Sequence, residues 1–370
     1  MPTSLRAAIP ARIADLEFAL PSDLATAAED AARAVTRLDE YASRAFGKHT
    51  VTPLASVLLR SESASSSQIE NLTVSARQLA IAELGLSASG NAEVVVGNVA
   101  AMKAAIALAD RLDVPAILAM HSALMASQPQ SGPGQWRDVP VWIGSSSLWP
   151  DGADFVPPSA QRVPECMDDL VAFLERDDLP ALVQAAVAHA QFETIHPFVD
   201  GNGRTGRALL SAVLYATGVT RHVTVPVSAG LLSDIDSYVA ALTAFRRGEI
   251  APIVECLATA CVRAAVLGRW LVDELANLAE KRKTDITPRS GSALESLIYH
   301  VVAQPAVTVT SLAASLRVSE AAARRAVDQA VDASILEVTT DKRRNRVWLD
   351  KEVIGILNEF ARRAGRRSFG

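Results

Sequence analysis

From Thr194 to Leu210 the chain reads TIHPFVDGNGRTGRALL, which sets one His, one Asp, one Asn, two Arg and three Gly ahead of an apolar run. A DGNG stretch between an extended segment and a helix is a loop of backbone N–H groups with little side-chain obstruction. Gly201 and Gly203 let it turn and approach a ligand closely. The spacing predicts a helix start near Gly203 or Arg204, where four N–H groups lack partners and an anion is favoured. Arg204 and Arg207 lie three apart on the first turn, and both donate well to phosphate oxygens. His196, as a neutral imidazole, can take a proton from an attacking hydroxyl. Asp200 beside a polyphosphate would hold Mg2+. A base, a metal ligand and donors for developing charge are what phosphoryl or nucleotidyl transfer needs. No GKS or GKT is present, so the stretch is not a Walker A loop.

HPFVDGNGRTGR satisfies all nine fixed positions of the pattern HPFx(D/E)GNGRxxR and so resembles the signature of Fic-domain proteins. PGQWRDVPVWIG, upstream of it, is similar to the Fic flap, and the likeness covers about residues 15 to 285. The resemblance implies transfer of AMP from ATP to a Ser, Thr or Tyr hydroxyl of a target protein. By that likeness His196 is the general base and Asp200 the Mg2+ ligand. The backbone of Gly201, Asn202 and Gly203 forms the anion hole, and Arg204 and Arg207 bind the outer phosphates. The flap would pair with the target as an added strand.

A second stretch, SSSQIEN at Ser65–Asn71, resembles the Fic inhibitory pattern (S/T)xxxE(G/N) through Ser66, Glu70 and Asn71. The resemblance implies that Glu70 forms a bidentate pair with Arg207 and takes the donor that the γ-phosphate needs. The other polar residues read more plainly. His121, in LAMHSALM, reads as a packed, hydrogen-bonded side chain, and His189 as structural. Trp136 and Trp142 suit packing under the flap as well as contact with a target or nucleotide.

The elements that must carry these residues are mainly helical. Ala and Leu dominate and aromatic residues are only 5%, which favours helix over sheet. Helical spacing is read over 12–48, 50–85, 91–112, 114–127, 163–176, 179–193 and 226–284. The stretch 127–165, rich in Gly, Pro, Ser and Trp, reads as a long functional loop with a hairpin. The polar run KRKTDITPRSGS at 281–292 breaks the pattern and reads as a linker. Beyond it come a helix, a second helix, the turn RVS with Ser319 as N-cap, a third helix, and two strand-like pieces around the basic turn DKRRN. This segment resembles a winged-helix domain.

The expected fold is therefore a Fic helical core with a β-hairpin flap and a C-terminal winged helix-turn-helix domain. The expected division is 1–112, an N-terminal helical region with the inhibitory motif; 113–285, the core and following helices; 286–291, a linker; and 292–370, the winged helix.

With 370 residues, 49% hydrophobic and 21% charged, the composition is that of a soluble globular protein. No apolar run reaches the roughly 20 uncharged residues of a membrane span, and the N-terminus lacks the apolar region of a signal peptide, so a cytoplasmic location is expected. Cys166, Cys256 and Cys261 fit no zinc or disulfide spacing. The net charge of −5 is uneven: residues 292–370 carry 12 Lys and Arg against 9 Asp and Glu. That permits contact with DNA or protein there, with Arg324, Arg325, Arg343, Arg344 and Arg346 as the basic residues. The resemblance also implies dimerisation through the core. Two alternatives stand beside the autoinhibited transferase. One is a DNA-binding regulator with a nucleotide-sensing core, and the other is an AMP-removing enzyme that uses Glu70.

Overall fold

The computed structural model describes residues 7–45, 52–86, 90–144, 152–339 and 346–365. In chain order its helices and strands are α1 (Ser22–Arg44), α2 (Thr52–Ile69), α3 (Ala76–Ala82), α4 (Gly90–Ala107), α5 (Val114–Leu124), α6 (Val163–Leu174), α7 (Ala181–Ile195), α8 (Asn202–Ala216), α9 (Val227–Leu232), α10 (Ile235–Arg246), α11 (Ala251–Ile286), α12 (Ala293–Ala303), β1 (Ala306–Val307), α13 (Val309–Leu316), α14 (Glu320–Asp332), β2 (Glu337–Val338), β3 (Trp348–Leu349) and α15 (Lys351–Arg363). The mainly helical class expected from composition is what the chain adopts. The chain forms two compact units from discontinuous segments. The first is Met1–Thr36 with Gly97–Arg221 and Ser233–Val262; the second is Arg37–Val96 with His222–Leu232 and Arg263–Gly370.

The first unit is built around α7 and α8. Every residue of α7 from Leu182 to Ile195, and of α8 from Asn202 to Leu214, is buried. Helices apolar on all sides belong in a core. α8 packs on α7 and α5, and α6 and α10 pack on α7. A small residue sets the closest approach: a Cβ on Gly206 would lie 2.9 Å from Phe192 Cδ1 and 2.8 Å from Glu193 Oε1. At another crossing, a Cβ on Gly97 would lie 2.4 Å from the carbonyl oxygen of Leu124. Asp113 caps α5 by accepting from the Ala116 N–H at 2.9 Å, with Pro115 in the first turn.

The helix read from residue 12 starts at Ser22 instead. Residues before it are tied down by the buried Asp169, which accepts from the backbone N–H groups of Ile13 at 2.7 Å and Ala14 at 3.4 Å. Pro10 and Pro21 also discourage an earlier start. The long loop follows its expected character. Its hairpin is closed by the bridge Ile143–Phe155, and the Arg246 guanidinium lies 3.6 Å from the centroid of the Phe155 ring. The tip of the hairpin, 145–151, lies outside the described residues.

In the second unit α12, α13 and α14 pack on one another, and α3 packs on β1 of a three-stranded antiparallel sheet of order β1-β3-β2. The register pairs Ala306 with Leu349 and Val338 with Trp348. Ser319 caps α14 by accepting from the Ala322 N–H, and Arg317 has a left-handed φ of 53° in the tight turn. The turn DKRRN, with Arg343 and Arg344, lies outside the described residues.

α11 continues through the first half of the polar run 281–292 and ends at Ile286, where the expected linker 286–291 begins. α15, absent from the sequence reading, follows β3. One interaction fastens both helices. The buried Arg282 donates through Nη1 to Asp350 Oδ2 at 2.5 Å and through Nη2 to Asp350 Oδ1 at 2.9 Å and Glu352 Oε2 at 2.7 Å. Asp350 also caps α15 by accepting from the Val353 N–H. A residue that looks like part of a solvated basic run is thereby turned inward. Among the described residues one helix, α11, is long and apolar enough to cross a membrane by length and composition, with 50% of its most apolar window buried inside the fold.

Truncating one member of a buried ion pair leaves the other uncompensated, at a cost of about 3–5 kcal/mol. Arg282→Ala should therefore lower the urea unfolding free energy by about 3 kcal/mol. A loss below about 1 kcal/mol would mean that the pair behaves as a solvated surface pair.

Candidate active site

α7 ends where the polar cluster begins. His196 is the residue that closes the helix, with a left-handed φ of 51°, and its N–H donates to the Phe192 carbonyl at 2.9 Å. Phe198 is fully buried two residues on; it stacks on His121 with ring centroids 3.6 Å apart and packs against Trp136 and Phe192. Asn202 ties the loop across its neck. Its Oδ1 accepts from the Phe198 N–H at 2.8 Å and its Nδ2 donates to the Phe198 carbonyl at 2.9 Å. The chain thus turns from α7 into α8 in six residues, with a ring buried in the core and both ends fastened.

Gly201 is the N-cap of α8 with φ 79°. A side chain there would meet Leu124 Cδ2 at 2.9 Å and Met125 Sδ at 3.1 Å, so glycine is required by conformation and by space. The Gly201 N–H donates to Asp200 Oδ1 at 2.6 Å, and the first bond of the helical ladder is Thr205 N–H to the Gly201 carbonyl at 2.9 Å. The N–H groups of Asn202, Gly203 and Arg204 therefore precede that ladder at the positive end of the helix.

The titratable residues surround this end. The imidazole of His196 is mostly covered, with Nδ1 3.9 Å from a carboxylate oxygen of the buried Glu193. Asp200 is the exposed member: its side chain is 53% accessible, while that of Arg204, whose Nη2 lies 3.4 Å from Asp200 Oδ1, is 4% accessible. Arg204 and Arg207 are both buried in the first turns of α8. One carboxylate at the mouth, with one oxygen turned to the loop, suits a cation that takes its remaining ligands from phosphate and water. Among the described residues no group of three His, Cys, Asp or Glu forms a metal site.

The two histidines read as packed residues are packed. His121 Nδ1 accepts from the Gly134 N–H at 3.0 Å, so its proton sits on Nε2 and is donated to the Asp200 carbonyl at 3.0 Å. Burial first, opposed by the Asp200 carbonyl bond and carboxylate and reinforced by Arg204, lowers its pKa to about 4. His189 is fully buried; Nδ1 donates to the Gly206 carbonyl at 3.2 Å and Nε2 accepts from the Tyr238 hydroxyl at 2.8 Å. Burial, with the Arg207 charge, lowers its pKa to about 3. Trp136 packs against Phe198, as the sequence allowed.

The first unit thus brings together His196, Asp200, Gly201, Asn202, Gly203, Arg204 and Arg207. It also adds Arg137, which sequence reasoning missed. This buried guanidinium donates through Nε to the His196 carbonyl at 2.8 Å and through Nη2 to the Pro158 carbonyl at 2.5 Å.

Ser66, Glu70 and Asn71 belong to the second unit, at the end of α2. There the chain forms a left-handed helix cap. The Leu72 N–H donates to the Ser67 carbonyl at 3.0 Å, the Asn71 N–H to the Gln68 carbonyl at 2.9 Å, and Asn71 has φ 60°. Ser66 is buried and Glu70 is exposed at the C-cap position.

A model of the Fic/DOC family matches residues 111–214, and one of the Fic/DOC family N-terminal region matches 25–107. The chain is 29% identical over 152 residues, 40% of its length, to the protein adenylyltransferase fic-1 of Caenorhabditis elegans. It is 38% identical over 87 residues to a probable protein adenylyltransferase of Aquifex aeolicus. The match spans 27% of each of these curated relatives. Among solved structures, a Fic family protein from Desulfovibrio desulfuricans G20 is similar with a TM-score of 0.58 and 20% identity, over 90% of this chain and 97% of that one. At that identity the likeness is one of fold.

The sign of the histidine effect on stability follows from the two depressed values. The unfolded chain takes up these protons near pH 6.5, the folded one only near 4 and 3, so stability is whole above pH 6.5 and is lost as pH falls. Urea unfolding between pH 6.5 and 5 should show that decline. His189→Gln should remove about 1 kcal/mol per pH unit of the slope. An unchanged slope would mean that His189 is charged in the folded protein.

Proposed function

This chain belongs to the Fic/DOC family, and on that premise we propose that it moves AMP from ATP onto a Ser, Thr or Tyr hydroxyl of a target protein. The observation that carries this reading is one helix start with two buried guanidinium groups on its first turns and a His and an exposed Asp on its approach. The hydroxyl oxygen attacks the α-phosphorus, the bond from that phosphorus to the bridging oxygen of the β-phosphate breaks, and pyrophosphate leaves. His196 takes the hydroxyl proton, and the Glu193 carboxylate 3.9 Å from Nδ1 favours the imidazolium that forms. The backbone from Gly201 to Gly203 receives the charge that develops on the phosphate oxygens, while Arg204 and Arg207 hold the outer phosphates. Asp200 would hold Mg2+, which when bound neutralises phosphate charge.

The finer parts of the reading concern control. Glu70 acts as the inhibitory carboxylate that competes with the γ-phosphate for Arg207. The segment 292–370 acts as a winged helix that selects target or location. The exposed face of α14 carries Glu320, Asp328 and Asp332 beside Arg324 and Arg325, a mixture that suits protein contact better than a DNA backbone. A cytoplasmic location and dimerisation through the core complete the proposal.

Incorporation of α-labelled ATP into protein tests it. Labelling should be faint in wild type, strong in Glu70→Gly and absent in Glu70→Gly with His196→Ala. The double variant should still bind ATP within about threefold of its parent, because the imidazole serves the proton rather than the phosphates. If Glu70→Gly labels nothing, itself included, AMP transfer is the wrong reaction. If His196→Ala abolishes ATP binding, the division of labour is wrong.

A further inference from the structure

Arg137 is buried in the loop that leads from α5 to the hairpin, and its hydrogen bonds end on backbone carbonyls. Three of these belong to the turn that holds His196. Nε donates to the His196 carbonyl at 2.8 Å, Nη2 to the Ile195 carbonyl at 3.4 Å, and the Arg137 backbone N–H to the Pro197 carbonyl at 3.0 Å. The other two belong to the two roots of the hairpin: Nη1 donates to the Val139 carbonyl at 3.2 Å on the ingoing side and Nη2 to the Pro158 carbonyl at 2.5 Å on the returning side. One rigid cation therefore fastens the turn of the base and both sides of the flap.

Each part of this arrangement has a physical reason. The last carbonyls of α7 have no acceptor role left inside the helix, and a cation at a helix C-terminus is favourable. His196 is a non-glycine residue at φ 51°, a conformation that costs about 1 kcal/mol or more and persists only where its surroundings hold it. A planar guanidinium with five fixed donors can span carbonyls on three chain segments, whereas an ammonium is a point charge on a flexible stem. Neighbouring contacts strengthen the anchor: Gly134 is bonded to His121, and Trp136 packs on Phe198.

We infer that Arg137 is a positioning residue that holds the general base and the flap in one register, so that a hydroxyl presented by the flap meets His196 at a fixed separation. The inference rests on the transfer reaction proposed above, with His196 as its base. Arg137 touches neither substrate nor reacting atoms in this account; it acts through the His196 backbone.

The test uses the full chain carrying Glu70→Gly and compares Arg137 with Arg137→Lys and Arg137→Ala. Two readouts are taken. The first is the single-turnover rate of self-labelling with saturating α-labelled ATP, beside the Kd for ATP. The second needs no nucleotide: the rate at which diethyl pyrocarbonate modifies His196, and the rate of proteolytic cutting at 138–144 and 152–158. In Arg137→Lys the self-labelling rate should fall by on the order of 10-fold or more, with the ATP Kd within about threefold and the unfolding temperature nearly unchanged. Modification of His196 and cutting of the flap should rise together severalfold, and added guanidinium ion should reverse part of each loss in Arg137→Ala. The inference is overturned if Arg137→Lys labels at the parental rate. It is also overturned if rate, ATP affinity and unfolding temperature fall together, or if His196 and the flap keep their parental reactivity. If the Glu70→Gly parent labels nothing while His196 and the flap loosen together in Arg137→Lys, the transfer reaction falls and the positioning role stands.

Discussion

Two guanidinium groups are buried at the end of a helix where the backbone already presents positive charge. Arg204 and Arg207 sit on the first turns of α8, 3% and 1% exposed, and that helix end favours anions rather than cations. Burial of such charges is tolerated only with compensation, and the Asp200 carboxylate, 3.4 Å from Arg204 Nη2, supplies part of it. His121 and His189, the imidazoles packed nearest, are both kept neutral, chiefly by burial, with Arg204 acting on the first and Arg207 on the second in the same direction. They contribute hydrogen bonds, to the Asp200 and Gly206 carbonyls, and leave the charge of the site to the arginines.

That concentration of charge needs a backbone that does not yield, and the packing supplies it. Gly206 lets α8 lie against Phe192 and Glu193 of α7, so the helix carrying the arginines and the helix that ends at His196 share one buried contact. Asn202 bridges both backbone groups of Phe198, and the Phe198 ring is held between His121, Trp136 and Phe192. The residues that do no chemistry in the proposed reaction therefore fix the separation between His196 and the N–H groups of α8. Interiors packed at this density resist small displacements, and transfer chemistry is sensitive to displacements of about 1 Å.

The layout of the site was legible because it is local. HPFVDGNGRTGR specifies a helix end, a glycine turn and a helix start within twelve residues, and the structure forms them in that order. The cap at Ser319 and the closed hairpin were legible for the same reason. What escaped was long-range. Arg282 reads as one cation in KRKTD, and only its pairing with Asp350, 68 residues on, turns it inward and extends α11. Arg137 reads as a lone cation in a loop of Gly and Pro, and its acceptors at Ile195 and His196 are backbone carbonyls, which leave no trace in side-chain pattern. α15 was within reach, since Asp350 precedes a helical spacing of Val353, Ile354, Leu357 and Phe360. The start of α1 was not, because Asp169 claims the residues before it from 156 positions away.

The short pattern at the end of α2 is also shaped by local structure. Its last position is Asn71, which adopts the left-handed conformation of the helix cap, and Gly and Asn are the residues that enter it most cheaply. Ser66 is buried within the helix, where a small side chain packs closely. Both are accounted for by the local fold of α2. Glu70 is exposed at the C-cap position, where the helix dipole favours a cation over a carboxylate.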